Sequence, residues 1–226
     1  MTSGSRPGGS STLENVVPLT PLQESLVYQS TNSVGTDLYS IVLAVPLRGV
    51  VDADRLRAAI TDVVNRQPSL RTGFARRKNG EPVGLVRSSS DFAWQQRDDS
   101  GLSDSEQADR LTELVAAERA YRFDLTAPPL LRVTLVRTGA QQASVVLTVH
   151  HLISDGWSLY LLLTEVLRAY SGDLPDQVEA PGYWGFLKWI AADQKSGQRL
   201  EAIWKPELAG LAAGTLLAGD RSSATR

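Results

Sequence analysis

The chain has 226 residues, 42% of them hydrophobic and 21% charged, with a formal net charge of −2, two histidines and no cysteine. This is an ordinary globular composition, and it excludes disulfides, thiolate metal sites, a cysteine nucleophile and a multi-histidine zinc site within one chain. No basic stripe supports a nucleic-acid or anionic-membrane partner, and no apolar run approaches the roughly 18 residues of a transmembrane helix, so a cytoplasmic setting is expected.

Residues 1–11 are rich in Gly and Ser and lack the apolar core of a signal peptide, so residues 1–15 are expected to be a flexible leader. The fold signal begins near Val16. Thr20 and Pro21 stand as N-cap and first residue of a helix whose apolar face carries Leu22 and Leu26. Residues 39–47 read as a strand, with Pro46 favouring an edge or a terminus. Asp52 then caps a helix to about Gln67, with Leu56, Ile60, Val63 and Val64 at helical spacing, and Pro68 stops it. An extended stretch to Phe74, an Asn79-Gly80 turn and a strand over 82–87 suggest a hairpin. Residues 104–121 form the next helix, with Ala108, Leu111, Leu114 and Val115 as its stripe.

Two strands follow, 130–137 and 143–150, joined at Gly139 in a hairpin. The second is apolar on nearly both faces and belongs in the middle of a sheet. Residues 157–170 read as a buried-type helix that stops at Ser171-Gly172. The last third carries an aromatic segment (Tyr183, Trp184, Phe186, Trp189) and an amphipathic helix over 198–208 bearing Trp204; the tail thins into Gly, Ala and Ser. The pattern is α/β: a mixed β-sheet covered by helices.

Both histidines lie side by side, His150-His151, where an apolar strand meets an Asp155-Gly156 turn and the next helix. Neighbours on a strand point to opposite faces, so one imidazole enters the interior and the other faces what lies above the strand end. A structural pair that orders the loop is one reading. The other is a general base: imidazole titrates near neutrality, Asp155 can hold the loop through an ion pair or backbone N–H groups, and Gly156 lets a reactant approach the backbone. No G-x-S-x-G elbow supports a serine hydrolase.

The segment from His150 to Ser158 resembles the HHxxxDG motif of the condensation domains of nonribosomal peptide synthetases. Residues 19–28 (LTPLQESLVY) resemble that family's first motif, residues 66–74 (RQPSLRTGF) its RHExLRTxF motif, and residues 183–189 (YWGFLKW) its aromatic fourth motif. Four motifs in family order span 16–217. Gln67 replaces the usual second-motif histidine, and Gly185 falls where the fourth motif usually has Asp.

The resemblance implies one lobe of a chloramphenicol-acetyltransferase-like fold: an N-terminal lobe over 16–217, with 218–226 a frayed tail or the start of a crossover to a second, C-terminal lobe. It implies that amide bonds form between a donor thioester and an aminoacyl acceptor, each carried on the phosphopantetheine arm of a peptidyl carrier protein. No cofactor or metal is expected on the chain itself. His151 is the implied base or amine-positioning group, with His150, Asp155, Gly156 and Arg71 in support. Asp155 is expected to pair with Arg71, or alternatively Arg66; Gly156 leaves room for the arm; Trp157 reads as core. The lobe alone is expected to be nearly inactive. The alternatives are a non-catalytic carrier-docking module of the same fold and an epimerisation-domain lobe. The histidine motif disfavours heterocyclisation, and the want of a third histidine disfavours a dual epimerisation/condensation domain.

Overall fold

The computed structural model describes residues 12–32, 35, 37–173, 182–193 and 197–211. The expected tail at 218–226 and most of the expected leader lie outside the described residues. By its contacts the chain divides into two compact units, 1–187 and 188–226. Among the described residues no helix is long and apolar enough to cross a membrane.

The first unit carries two sheets. Strands β1 (Leu13–Val17), β3 (Thr72–Arg76) and β4 (Pro82–Arg87) form an antiparallel sheet in the order β1-β4-β3. Strand β1 takes in residues 13–15, assigned from sequence to the leader; its polar Glu14 and Asn15 hide the strand pattern. Strands β2 (Ser40–Arg48), β5 (Ala93–Asp98), β6 (Leu131–Gly139) and β7 (Gln142–His150) form the larger sheet in the order β2-β7-β6-β5. Strand β7 is central, as its two-faced apolarity requires, and β2, with Pro46, is an edge strand. Strand β5, which sequence reading missed, runs parallel to β6. Its sequence AWQQRD lacks an alternating apolar face, and its place comes from the sheet it joins.

The larger sheet is covered on both sides. Helices α2 (Ala53–Arg66) and α4 (Gly156–Ser171) bury Leu56, Ile60, Val63, Leu159, Leu162 and Val166 against Leu131, Val133, Leu135, Val145, Leu147 and Val149. The odd-numbered residues of β6 and β7 thus make one core face. On the other, helix α3 (Asp104–Ala120) sets Leu114 against Val136 and Val146, with Leu111 and Val115 beside it. The same α3 brings Glu118 into the interior. Its carboxylate accepts two bonds from the Arg132 guanidinium (2.9 and 3.0 Å) and one from the Thr148 hydroxyl (2.9 Å), while Arg132 lies over the Tyr121 ring. Burial pushes the Glu118 carboxyl up, but these three bonds outweigh it, and the group sits below its ordinary range.

The helix ends follow local chemistry. Asp52 caps α2 by accepting the Asp54 and Arg55 amides, Ser103 and Glu106 form a capping box on α3, and Gly172, at φ 83°, closes α4 in the left-handed region. Helix α1 (Pro21–Asn32) begins as expected: the Gln23 amide donates to Thr20 Oγ1 and the Gln23 side chain accepts the Thr20 amide. Its buried face is Leu26, Val27 and Ser30, whereas Leu22 is exposed. Helix α5 (Tyr183–Asp193) spans the unit boundary. In the second unit, α6 (Gly197–Glu207) carries Leu200, Ile203 and Trp204, and Pro206 falls in its last turn.

Candidate active site

Strand β7 ends at His150, and the next three residues form a turn into α4. His150 follows Val146 and Thr148 on the α3 side of the sheet and is 0% exposed. His151, one residue on, is exposed. The opposed orientations follow from the pleat, with the strand ending between the two residues.

His150 is held on every side. Its Nδ1 accepts the Leu152 amide at 3.1 Å, its Nε2 faces Asp37 Oδ2 at 3.1 Å and Ser30 Oγ at 3.3 Å, and the Phe123 ring meets it edge-on. An Nδ1 that accepts an N–H carries no proton, so the ring is the neutral Nε2–H tautomer and donates to Asp37. Burial pushes the His150 pKa below its ordinary value; the adjacent Asp37 carboxylate opposes this without overcoming it, and His151 adds to the depression.

His151 is fixed by its backbone: its amide donates to the Tyr39 carbonyl at 2.8 Å. Among the described residues no hydrogen bond ties its ring, which lines a cleft of about 420 Å³. Thr20, Gln23 and Leu26 of α1 and its cap form one wall, Ser69 and Leu70 another, and the turn 152–155 with Ser158, Leu162 and Glu165 of α4 a third. Tyr183 also lines it, its hydroxyl bonded to Gln23, whose amide also donates to the Leu152 carbonyl at 3.0 Å. Desolvation raises the Tyr183 pKa, so it lines the cleft as a neutral phenol. Asp155 and Glu165 are the carboxylates of the lining, and no Lys or Arg stands among its described residues.

The expected ion pair between Asp155 and Arg71 is not formed. Asp155 Oδ1 accepts the Ser158 amide at 2.7 Å, capping α4, and that bond lowers its pKa. Arg71, at the end of the helical turn Pro68–Arg71 that leads into β3, is buried against the smaller sheet, bound to Glu14 at 2.6 Å and to the Arg87 carbonyl. The alternative partner, Arg66, pairs with Asp62 one helical turn earlier. The loop is therefore held through a backbone N–H, the second of the two ways open to Asp155, and Arg71 braces β1 against β4 instead of entering the cleft. At Gly156 a methyl group would meet nothing within 4 Å, so the backbone there faces open space.

Trp157, read from sequence as core, is 73% exposed, and Tyr160 and Leu161 beside it are exposed too. Helix α4 buries one stripe and leaves apolar groups on the other, so counting apolar residues overstated its burial. In the aromatic segment, Tyr183 and Trp184 pack with Val17, Val86 and Leu187, whereas Phe186 and Trp189 are exposed. Gln67, where the family motif has histidine, donates from Nε2 to the Glu165 carboxylate at 3.1 and 3.3 Å, joining the end of α2 to α4 across the cleft.

Sequence reasoning missed Asp37, Ser30, Gln23 and Glu165. Ser30 in α1 and Asp37 lie in a polar stretch of sequence (30–37, STNSVGTD), where the default reading is solvent; only the fold brings them to His150. The sole signal in the sequence was a buried-side histidine needing a partner.

The sequence profile described as "Condensation domain" matches residues 13–226. One protein of the linear gramicidin synthase of Brevibacillus parabrevis is 31% identical over 200 residues, covering 85% of this chain and 2% of that protein. A second protein of the same synthase is 28% identical over 202 residues, covering 88% of this chain and 4% of that protein. Among solved structures, the starter condensation domain of rhizomide synthetase RzmA superposes with a TM-score of 0.77 at 22% identity, covering 91% of this chain and 51% of that one. SgcC5 from Streptomyces globisporus does so at 0.71 and 28% identity, covering 85% and 46%. The chain thus spans about half the length of these solved structures and a few per cent of the synthase proteins.

Proposed function

This chain belongs to the condensation-domain family of nonribosomal peptide synthetases, and from that premise we propose that it serves as the N-terminal lobe of an amide-forming condensation domain with His151 as its reactive imidazole. The single observation that carries this reading is the division of labour between the two histidines. His150 is buried and fully bonded, whereas His151 is presented to a cleft by a backbone locked from both sides.

In the proposed reaction the amine of a carrier-bound aminoacyl acceptor attacks the thioester carbonyl of the donor. The C–N bond forms, the C–S bond breaks, and the thiol of the donor's phosphopantetheine arm leaves. His151 accepts the proton that the amine sheds, or holds the amine in line through the same nitrogen. The carboxylates of Asp155 and Glu165, uncompensated by Lys or Arg in the described lining, favour entry of an ammonium-bearing acceptor. Gly156 leaves the backbone beside the cleft open to an incoming arm.

Leu161 of α4 lines the cleft and is exposed, and Trp157 and Tyr160 of the same helix are exposed too. A second lobe would cover this face. Positioning supplies up to roughly 7–11 kcal/mol of a barrier in well-oriented reactions. Isolated as 226 residues, the chain therefore binds carriers but turns over poorly. The experiment mixes the chain with loaded donor and acceptor carrier proteins and follows amide product and carrier binding together. Binding with negligible product is expected; product at the rate of a two-lobed condensation domain refutes the need for a second lobe.

A further inference from the structure

We propose that Asp37 is a positioning residue for the reaction at His151, acting through its grip on the backbone and on His150 rather than by touching substrate. The inference rests on the reading of His151 as the reactive imidazole and extends it to a residue outside the motif.

Asp37 is 3% exposed, yet among the described residues no Lys or Arg neutralises it. Its carboxylate is satisfied by three donors instead. Oδ1 accepts the Tyr39 amide at 3.0 Å and the Ser30 hydroxyl at 3.3 Å, and Oδ2 accepts His150 Nε2 at 3.1 Å. Two of these bonds continue to the residue that carries the chemistry. The peptide of Tyr39, pinned through its amide, offers its carbonyl to the His151 amide at 2.8 Å. His150, whose proton is held on Nε2 by the carboxylate, offers bare Nδ1 to the Leu152 amide at 3.1 Å. The amides on either side of the His151 α-carbon are thus both fixed by groups that Asp37 orders, and the His151 ring, which has no hydrogen bond among the described residues, takes its direction from that backbone.

The arrangement makes a carboxylate specifically necessary. An amide at position 37 presents one oxygen and one NH2 group. If the NH2 faces His150, Nε2 must give up its proton to Nδ1, where it opposes the Leu152 N–H. If it faces Tyr39, two donors meet there. Either way one buried N–H goes unpaired beside His151.

With only two histidines in the chain, long-range ¹H–¹⁵N spectra of the 226-residue protein resolve both rings. The wild type is expected to show one ring as the Nε2–H tautomer at about pH 8, where an ordinary imidazole is neutral. Asp37→Asn is expected to shift that ring toward Nδ1–H, or to speed hydrogen exchange of the His151 and Leu152 amides about ten- to hundredfold, the equivalent of one unpaired buried donor. Thr148→Val, which removes a bond to Glu118 on the same sheet face, serves as the control for general destabilisation and should change neither. A wild-type His150 that carries its proton on Nδ1 overturns the proposal, even if Asp37→Asn fails to fold. So does an Asp37→Asn protein with an unaltered ring and unaltered His151 and Leu152 exchange. The premise fails separately: His151→Ala that leaves turnover intact in a two-lobed domain removes the reaction, whatever the spectra say of Asp37.

Discussion

Mild acid should weaken this fold, and His150 should be the cause. The imidazole is wholly buried, its Nδ1 is committed to the Leu152 amide, and burial pushes its pKa below the ordinary 6.5. In the unfolded chain the same ring takes a proton near pH 6.5. Between that pH and the lower folded value the unfolded state binds one more proton than the native state. Stability is therefore fully present above about pH 6.5 and falls as the pH drops through it, by at most about 1.4 kcal/mol per unit from this one group. The fall ends once the pH passes the folded value. Glu118 and Asp155 also have lowered pKa values, but their contributions are lost only below their ordinary values of 4.5 and 3.8, so the two effects occupy separate windows. Urea denaturation followed by circular dichroism at about pH 7.5, 6.5 and 5.5 measures the slope. His150→Gln, though less stable throughout, should lose that slope. A wild type with flat stability over this window, or a His150→Gln protein that keeps the slope, refutes the assignment of a neutral buried ring.

Other substitutions separate structural from functional contributions. Glu118→Ala leaves the Arg132 guanidinium without its carboxylate and should cost on the order of 3 kcal/mol in urea denaturation. Asp155→Ala removes the N-cap of α4 and should cost about 1 kcal/mol, whereas an Asp155–Arg71 ion pair would predict that Arg71→Ala and Asp155→Ala are strongly coupled in a double-mutant cycle; additivity is expected. Trp157→Ala should change the stability of the isolated chain by less than about 0.5 kcal/mol, because the ring is largely exposed there.

Most of the scaffold is legible in the sequence because local signals and packing agree. The α2 stripe of Leu56, Ile60, Val63 and Val64, the two-faced apolarity of β7 and the caps at Thr20 and Asp52 each point to one structure, and each is found. Periodicity also sends the two histidines to opposite sides of the strand. What the sequence conceals is long-range polar pairing. Nothing near Asp155 in the chain distinguishes a helix cap from a partner for Arg71, and Arg71 finds Glu14, 57 residues away, on a strand whose polar residues hide it. Asp37 reaches His150 across 113 residues. Trp157 misleads for the opposite reason: apolarity predicts burial, but a helix with an uncovered face spends part of its apolar surface elsewhere.

The reactive role proposed for the cleft rests on one imidazole, that of His151. Its most direct test is the single-turnover rate of amide formation between loaded donor and acceptor carrier proteins, measured together with carrier affinity, in a two-lobed condensation domain that contains this chain either unaltered or with the His151→Ala substitution. His151→Ala is expected to slow the amide-forming step by about 10²–10⁴-fold and leave carrier affinity unchanged. An unslowed step would contradict the assignment and favour a carrier-docking role for the chain.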